Sequence, residues 1–301
     1  MDRAFNVDKK LLGIPLGTGY EFFAPTHTGK STFTYSLASR IALHENMGWA
    51  LCDLEAFDAK FLLDIAEFQG MTEDSEIQVC DGSSAKKDFA HSNDETLLDE
   101  LLEYLKLEGD KKRFAVGILD SVAAISPISE AEGEIGEANM GRRAKIMAQF
   151  TRKAIKVFRL ENAPTLLAVN HYYPAMGSKQ YITPGGEVKN YMFTVRVRLQ
   201  QLKRDRYEDG SYVLRGFVIK NRWGGGRDEN EFEVFVQSGY GIHTGMTAVL
   251  DAISLGIATR KSTIKLGEKS WRWKELREGW RDPEIYQPFI DALSEYNQEN
   301  K

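Results

Sequence analysis

The chain has 301 residues, of which 42% are hydrophobic and 28% are charged, enough to bury one sizeable core and a smaller annex. Its formal net charge of -5 does not mark the whole chain as a nucleic-acid binder, so any such surface must be local. No apolar run approaches the roughly 20 residues of a membrane span. Cys52 and Cys80 are the only cysteines, which excludes a disulfide framework and a cysteine metal cage. We expect a cytoplasmic protein with no membrane partner.

The first motif is a strand that leads into a glycine-lysine turn. Residues 20–23 form an apolar strand-like run, a Gly-Lys-Ser turn follows at 29–31, and a helical pattern comes next. In a phosphate-binding loop, backbone N–H groups surround the phosphates, the lysine bridges them and the hydroxyl holds Mg²⁺. We therefore predict nucleotide binding by Lys30 and metal binding by Ser31. The alternative is a solvated turn, because Ala24 replaces the first glycine of the pattern. The predicted nucleotide-binding residues of this turn are Pro25, Thr26, His27, Thr28, Gly29, Lys30, Ser31 and Thr32.

Strands and helices then alternate along the chain. Apolar runs predict buried strands at residues 48–53, 76–80, 114–120 and 165–170. Helical patterns lie at residues 59–68, from Ser92 in a Ser-x-x-Glu capping box onward, and at 140–160. Ligands of open α/β sheets bind beyond the carboxyl ends of the strands, so Asp120 should meet the glycine-lysine turn in one crevice. There Asp120 would hold Mg²⁺ through a water molecule; the alternative is an aspartate that caps a turn.

The second half of the chain has a different pattern. Three β-like runs at 191–202, 212–219 and 231–236 have no helices between them, and they predict antiparallel strands added to one edge of the parallel sheet. The segment 172–189 has no regular pattern. Residues 260–281 mix basic residues with tryptophans, as single-stranded nucleic-acid surfaces do. A small core built around the tryptophans explains that mixture equally well.

Several strings, in order along the chain, resemble the RecA family of recombinases, its compact bacteriophage members included. They are Ile118-Leu-Asp-Ser-Val-Ala-Ala-Ile-Ser-Pro127, Glu132-Gly-Glu-Ile-Gly136, Val169-Asn-His171, Pro184-Gly-Gly186 and Val218-Ile-Lys-Asn-Arg222. The resemblance extends from about Gly19 to Ile242. It implies an α/β fold in which residues 19–243 are a P-loop ATPase core with a mainly parallel sheet extended by antiparallel strands. Residues 1–18 would be a short N-terminal segment and residues 244–301 a small C-terminal subdomain.

The resemblance also implies roles for single residues, with ATP and Mg²⁺ as cofactors. Glu55 would orient and activate the water that attacks the γ-phosphate. His171 stands where the family has a glutamine that senses this phosphate, and its imidazole can also donate a hydrogen bond; a buried, satisfied core histidine is the alternative. Asp58 and Phe61 would lie near the adenine.

A further set of residues would act at interfaces with other molecules. Lys220 and Arg222 match a pair of cations that reach the ATP of a neighbouring subunit, and their alternation on a strand places both on one side. The alternative for them is a pair of solvated cations at a strand end. Two DNA-binding loops would fall at residues 132–140 and 172–189. The residues expected to contact DNA are Glu132, Gly133, Met140, Arg142, Arg143, Lys145, Arg152, Lys179, Gly185 and Gly186.

The resemblance implies a DNA-dependent ATPase that coats single-stranded DNA and exchanges strands with homologous double-stranded DNA. Such a protein self-associates into a helical filament. Two alternatives stay open: a RecA-fold mediator with little ATP turnover, and a ring-forming RecA-fold helicase. Fewer than 20 residues precede the first predicted core strand, which is shorter than the family's N-terminal packing module, so a filament, a ring and a monomer all remain as expectations.

Overall fold

We describe the protein from a computed structural model that covers residues 14–55, 58–81, 93–107, 113–126, 141–174, 181–223 and 231–299. The strands are β1 (Gly19–Phe23), β2 (Gly48–Asp53), β3 (Ile77–Val79), β4 (Phe114–Asp120), β5 (Thr165–Asn170), β6 (Tyr173–Pro174), β7 (Tyr181–Ile182), β8 (Phe193–Arg206), β9 (Tyr212–Asn221), β10 (Glu231–Gln237), β11 (Gly241–Ile242), β12 (Thr259–Arg260), β13 (Ile264–Leu266) and β14 (Lys269–Trp271). The α-helices are α1 (Lys30–Glu45), α2 (Ala59–Phe68), α3 (Asp94–Leu105), α4 (Arg142–Val157), α5 (Thr244–Ser254), α6 (Trp273–Glu278) and α7 (Gln287–Glu299). Short 3-10 helices span Val188–Tyr191 and Pro283–Tyr286.

A nine-stranded sheet has the order β11-β10-β9-β8-β1-β5-β4-β2-β3. All pairings among β1 to β5 are parallel, whereas β9 with β10 and β10 with β11 are antiparallel. The predicted α/β class, with a mainly parallel sheet extended by antiparallel strands, is therefore confirmed. The central strands β1, β4 and β5 are buried along their whole length, which is why their sequences are nearly continuous apolar runs.

Strand β8 connects the parallel part of the sheet to the antiparallel part. It pairs in parallel with β1, Tyr20 lying opposite Val195, and its other neighbour in the sheet is β9. A parallel neighbour requires a crossover of a dozen or more residues, and residues 171–192 between β5 and β8 are long enough to provide one. The antiparallel neighbours β9 and β10, by contrast, pair Phe217 with Glu231.

Helices α3 and α1 begin at residues that suit the N-terminus of a helix. The start of α3 differs from the prediction, because Asn93 and not Ser92 is the N-cap; its side chain accepts a hydrogen bond from the Thr96 N–H at 2.9 Å. Ser92 itself lies outside the described residues. Helix α1 begins after Gly29, whose φ of 90° lies in the left-handed region that glycine tolerates. Among the helices in the described ranges, none combines the length and the apolarity needed to cross a membrane.

The described residues divide into two compact units. The first comprises residues 15–199 and 218–222, and the second comprises residues 14, 200–217, 223 and 231–299. In the second unit the centroids of the Trp271 and Phe289 rings are 4.9 Å apart. Trp273 Nε1 donates a hydrogen bond to the Tyr207 hydroxyl at 2.8 Å. These contacts favour the tryptophan-core interpretation of residues 260–281. The predicted boundaries after residues 18 and 243 stay a prediction.

A buried ion-pair network crosses the first unit. Glu21 of β1 has no solvent exposure, and its carboxylate lies 2.8 Å from Lys189 Nζ and 2.5 Å from Arg196 Nε. Asn170 Nδ2 donates to the same carboxylate at 2.7 Å, and Lys189 also donates to Thr183 Oγ1 at 2.7 Å. Burial alone would raise the pKa of Glu21, but the two cations and the hydrogen bonds lower it. The network therefore joins β1, the end of β5 and the segment before β8 through one ionised carboxylate.

Lys189→Met tests how much this network contributes to stability. Removal of one partner from a buried charge cluster leaves a charge poorly compensated, and such changes cost about 3 kcal/mol. We expect a clear fall in the thermal unfolding midpoint, followed by circular dichroism. The matched control is Lys153→Met, because Lys153 pairs with Asp99 at the surface, where its side chain is 49% exposed and a pair contributes about 1 kcal/mol or less. Equal midpoints for the two variants would contradict the stabilising role of the buried network.

Candidate active site

The turn between β1 and α1 brings the predicted nucleotide-binding residues together. Helix α1 has no side-chain cap, so the N–H groups of its first turn are available to an anion. Lys30 is 7% exposed and donates from Nζ to the Pro25 carbonyl oxygen at 2.9 Å, and the Thr28 hydroxyl donates to the same oxygen at 2.8 Å. Ala24 is not among the described residues with positive φ, which is why an alanine fits where a glycine was expected. An uncapped helix start beside a mostly buried lysine fits the phosphates of a nucleotide.

The predicted metal site lies next to this turn. Asp120, at the end of β4, is 3% exposed and accepts a hydrogen bond from Ser31. Burial, with the nearby carboxylates Asp53 and Glu55, raises the pKa of Asp120 to about 6, although Ser31 and Lys30 act in the opposite direction. A buried carboxylate in this setting favours a bound cation. Among the described residues no group of three or more His, Cys, Asp or Glu side chains could hold a metal ion; Mg²⁺ bound with a nucleotide takes its other ligands from water and phosphate.

Glu55 lies at the centre of a hydrogen-bonded group at the carboxyl ends of the strands. Its Oε1 accepts from Ser121 Oγ at 2.5 Å and lies 3.3 Å from His171 Nε2. Burial would raise the pKa of Glu55, but the hydrogen bonds from Ser121 and His171 and the charges of His171 and Lys30 lower it. Glu55 is therefore ionised near neutral pH, and its side chain is 48% exposed. A carboxylate in that state can orient a water molecule and accept its proton.

Sequence reasoning missed two hydroxyl groups of this site. Ser121 holds Glu55, and its signal was its place directly after Asp120 at the end of β4. Tyr35, in the second turn of α1, has its hydroxyl 3.3 Å from an oxygen of Asp53 and 3.3 Å from an oxygen of Asp120. The only indication of this contact in the sequence was a tyrosine within the helix predicted after the glycine-lysine turn. Burial and the two carboxylates raise the pKa of Tyr35, so its hydroxyl stays protonated.

The two residues predicted near the adenine lie at the start of α2. Asp58 is the N-cap of this helix, and its Oδ1 accepts from the backbone N–H of Lys60 at 2.9 Å and of Phe61 at 3.3 Å. The carboxylate therefore has a structural task in this structure. Contact of Asp58 and Phe61 with a base stays a prediction.

The structure places Lys220 and Arg222 against one segment. Lys220 Nζ donates to the carbonyl oxygens of Asn190 at 2.5 Å and Phe193 at 2.6 Å, and Arg222 Nη1 donates to that of Tyr191 at 3.5 Å. Burial, with the charges of nearby arginines, lowers the pKa of Lys220 to about 8. Both side chains thus lie on the same side of the chain at the end of β9. Their task within this chain is to hold the segment that precedes β8.

Helix α4 carries four of the five basic residues predicted to contact DNA. Arg142, Lys145 and Arg152 are exposed. Arg143 is only partly exposed, and its Nε donates to the carbonyl oxygen of Ile125 at 2.7 Å. Three of these four cations are therefore available on the surface, and Arg143 also ties α4 to the segment that follows β4.

The two glycines predicted to approach DNA lie where side chains would not fit. A Cβ on Gly185, at φ +97°, would lie 2.8 Å from a methyl group of Val122, and one on Gly186, at φ +72°, would lie 3.0 Å from the Ala144 Cβ. Glycine is needed at both positions because of the positive φ and the close neighbours. Four predicted DNA-binding residues lie outside the described residues: Glu132, Gly133, Met140 and Lys179.

Asp120→Asn tests the raised pKa of this carboxyl group. A carboxyl group with a higher pKa in the folded state contributes to stability below its usual pKa of 3.8, and this contribution is lost as the pH rises through about 6. In metal-free buffer at pH 8, the variant should therefore unfold at a higher temperature than the wild type, with a gain of at most about 3 kcal/mol. The two proteins should converge near pH 4. Thermal unfolding over a pH series measures this, and a variant less stable than the wild type at pH 8 would contradict it.

Comparisons with known proteins agree with this geometry. The sequence profile of the family described as RecA N-terminal domain matches residues 99–241. The chain is 28% identical over 234 residues to Protein RecA of a Nitratiruptor species and to that of a Sulfurovum species, which covers 75% of this chain and 62% of each relative. It is 31% identical over 158 residues to Protein RecA of Aquifex pyrophilus, which covers 50% of this chain and 44% of that protein.

The matched region thus spans 62% of the length of the first two relatives. Within the part that matches the family profile lie β4, with Asp120 at its end, and the segment that carries His171, Lys220 and Arg222. The α/β sheet, with its mainly parallel strands and antiparallel extension, has the architecture that the resemblance implied. This architecture and these matches agree in the likeness of the chain to proteins of the RecA family.

Proposed function

We propose that the protein is a DNA-dependent ATPase and homologous recombinase, with ATP and Mg²⁺ as cofactors and residues 19–243 as its ATPase core. The observation that carries this proposal is the meeting of three functional groups beyond the carboxyl ends of neighbouring strands. They are the uncapped start of α1 with Lys30, the pair Ser31 and Asp120, and Glu55 with His171. Phosphate binding, metal binding and water activation are the three tasks that phosphoryl transfer to water requires.

Each group has a distinct task in this proposal. Lys30 and the N–H groups of α1 would bind the phosphates. Ser31 and Asp120 would hold Mg²⁺, which would supply positive charge near the phosphates. Glu55, kept ionised by Ser121 and His171, orients the attacking water and accepts its proton. In this proposal His171 responds when the γ-phosphate leaves, and its distance of 3.3 Å from Glu55 supports that role.

Self-association would complete the site. Lys220 and Arg222 would reach the ATP of a neighbouring subunit, and they would exchange the carbonyl oxygens that they contact here for phosphate oxygens. Since these carbonyls belong to the segment before β8, this exchange would release the segment that follows the second DNA-binding loop. We propose a filament on single-stranded DNA that pairs with homologous double-stranded DNA.

Glu55→Gln separates an ATPase from a mediator with little turnover. The amide cannot accept a proton, so we expect turnover to fall about 100-fold or more, whereas affinity for ATP and DNA should change little. Phosphate release and nucleotide binding are measured on the same preparation. Glu67→Gln is the matched control, because Glu67 is an exposed carboxylate on α2. Equal turnover in Glu55→Gln and wild type would favour the mediator.

Lys145→Ala and Arg152→Ala test the DNA surface of α4. Both side chains are exposed cations, so each loss should weaken binding to single-stranded DNA irrespective of sequence and should reduce the salt slope by about 1. Fluorescence anisotropy with a labelled oligonucleotide over a salt series measures both quantities. The control is Lys153→Ala on the same helix, since Lys153 pairs with Asp99. The same loss in all three variants would argue against a defined DNA surface.

The experiment that tests the whole proposal is ATP hydrolysis with and without single-stranded DNA over a range of protein concentrations. We expect DNA to stimulate ATP turnover. We also expect the rate per protomer to rise cooperatively with protein concentration, because in this proposal a neighbouring subunit completes the site. Turnover that responds to neither variable would overturn the recombinase proposal.

A further inference from the structure

Tyr35 makes a contact that the proposed function does not use. Its side chain lies on the sheet-facing side of α1 and the residue is 4% exposed. Its hydroxyl is 3.3 Å from Asp53 Oδ2 and 3.3 Å from Asp120 Oδ2. Asp53 and Asp120 are the last residues of β2 and β4 and lie opposite each other in the parallel pairing of these strands. One hydroxyl therefore lies between the two carboxylates that end neighbouring strands.

The other hydrogen bonds of these two carboxylates connect them to Glu55 and to Ser31. Asp53 Oδ1 accepts the backbone N–H of Glu55 at 2.8 Å, and Asp120 accepts a hydrogen bond from Ser31. The Tyr35 hydroxyl thus contacts Asp120 of the proposed metal-binding pair directly, and it is linked through Asp53 to the backbone of Glu55. A hydroxyl has one hydrogen, so it donates to one carboxylate at a time and is shared between them.

Packing against Trp49 explains why the tyrosine ring is buried. It stacks on the Trp49 ring, with centroids 6.0 Å apart, and this packing would be served equally by phenylalanine. The hydroxyl adds nothing to that packing. The terminal torsion of an aspartate is soft and broad, so a carboxylate oxygen stays in one place only when hydrogen bonds hold it. Mg²⁺ demands near-ideal octahedral geometry, which makes the orientation of the Asp120 oxygens matter.

We propose that Tyr35 is a positioning residue for the Mg²⁺ site, whose hydroxyl fixes the Asp120 carboxylate and, through Asp53, the backbone turn that presents Glu55. This inference rests on the proposed function and adds a residue to it. Groups that orient metal ligands through hydrogen bonds change metal affinity about 10-fold to 100-fold when removed. Tyr35 does not touch the nucleotide phosphates in this scheme, so nucleotide affinity without metal should not depend on its hydroxyl.

Tyr35→Phe tests the role, because it removes one oxygen atom and keeps the ring against Trp49. The dissociation constant of a fluorescent ADP analogue is measured in EDTA and then over a Mg²⁺ series. We expect the Mg²⁺ concentration at half-effect to rise about 10-fold or more, with the affinity in EDTA unchanged. The matched control is Tyr104→Phe, since the Tyr104 hydroxyl also donates to a carboxylate, Glu100 at 2.8 Å, on α3.

The outcomes separate this inference from the function on which it rests. If the wild type shows no Mg²⁺-dependent nucleotide binding, the proposed function fails and the inference falls with it. If the wild type binds with Mg²⁺ and Tyr35→Phe has the same Mg²⁺ half-effect, the positioning role alone is overturned. Loss of the cooperative thermal transition in Tyr35→Phe would assign the hydroxyl to the stability of the fold and would also overturn the role. An equal shift in Tyr104→Phe would have the same consequence.

Discussion

The buried carboxylate of Glu21 is the constraint on which the first unit depends. A carboxylate without solvent must be neutralised and fully hydrogen-bonded, or its burial costs several kcal/mol. Lys189 and Arg196 supply the charges, and both come from the end of the second predicted DNA loop or the strand after it. The strand that leads into the phosphate-binding turn is therefore fixed to the segment that returns from that loop. Either could shift alone only by exposing or unpairing a buried charge.

The same carboxylate is connected through Asn170 to the group of residues that we propose to be catalytic. The Asn170 amide donates to Glu21 at 2.7 Å and to the Pro184 carbonyl oxygen at 3.1 Å, and its own oxygen accepts the His171 N–H at 2.9 Å. The backbone N–H of His171 is thus held by a side chain that is itself hydrogen-bonded through its nitrogen. The imidazole Nε2 of His171 lies 3.3 Å from Glu55 Oε1. A chain of short polar contacts therefore runs from β1, through the end of β5, to the carboxylate proposed to activate water.

The sequence predicted what local patterns encode. The runs at 48–53, 114–120 and 165–170 became strands with those bounds, because strands covered on both faces need continuous apolar sequence. The pairing of β8 with β1 was not part of the prediction, since alternation within a strand contains no information about which neighbour it pairs with. Tyr35 and Ser121 were missed for a related reason: each acquires its partner only when α1, β2 and β4 come together. The residues of the glycine-lysine turn could be predicted from the sequence because their spacing is itself the signal.

The cations near β9 have an electrostatic setting that suits the proposed contact with the ATP of a neighbouring subunit. Lys189, Arg196 and Arg222 all lie close enough to Lys220 to lower its pKa, whereas Glu21 is the one carboxylate among the described influences on that group. Burial and this excess of positive charge bring the pKa of Lys220 to about 8. Carbonyl oxygens, which carry only partial charge, satisfy its ammonium group. A phosphate would compensate the charge fully and would raise that pKa again. The segment before β8 is thus held by a cation whose charge the carbonyl oxygens compensate only in part, which suits the nucleotide-dependent interface that we propose.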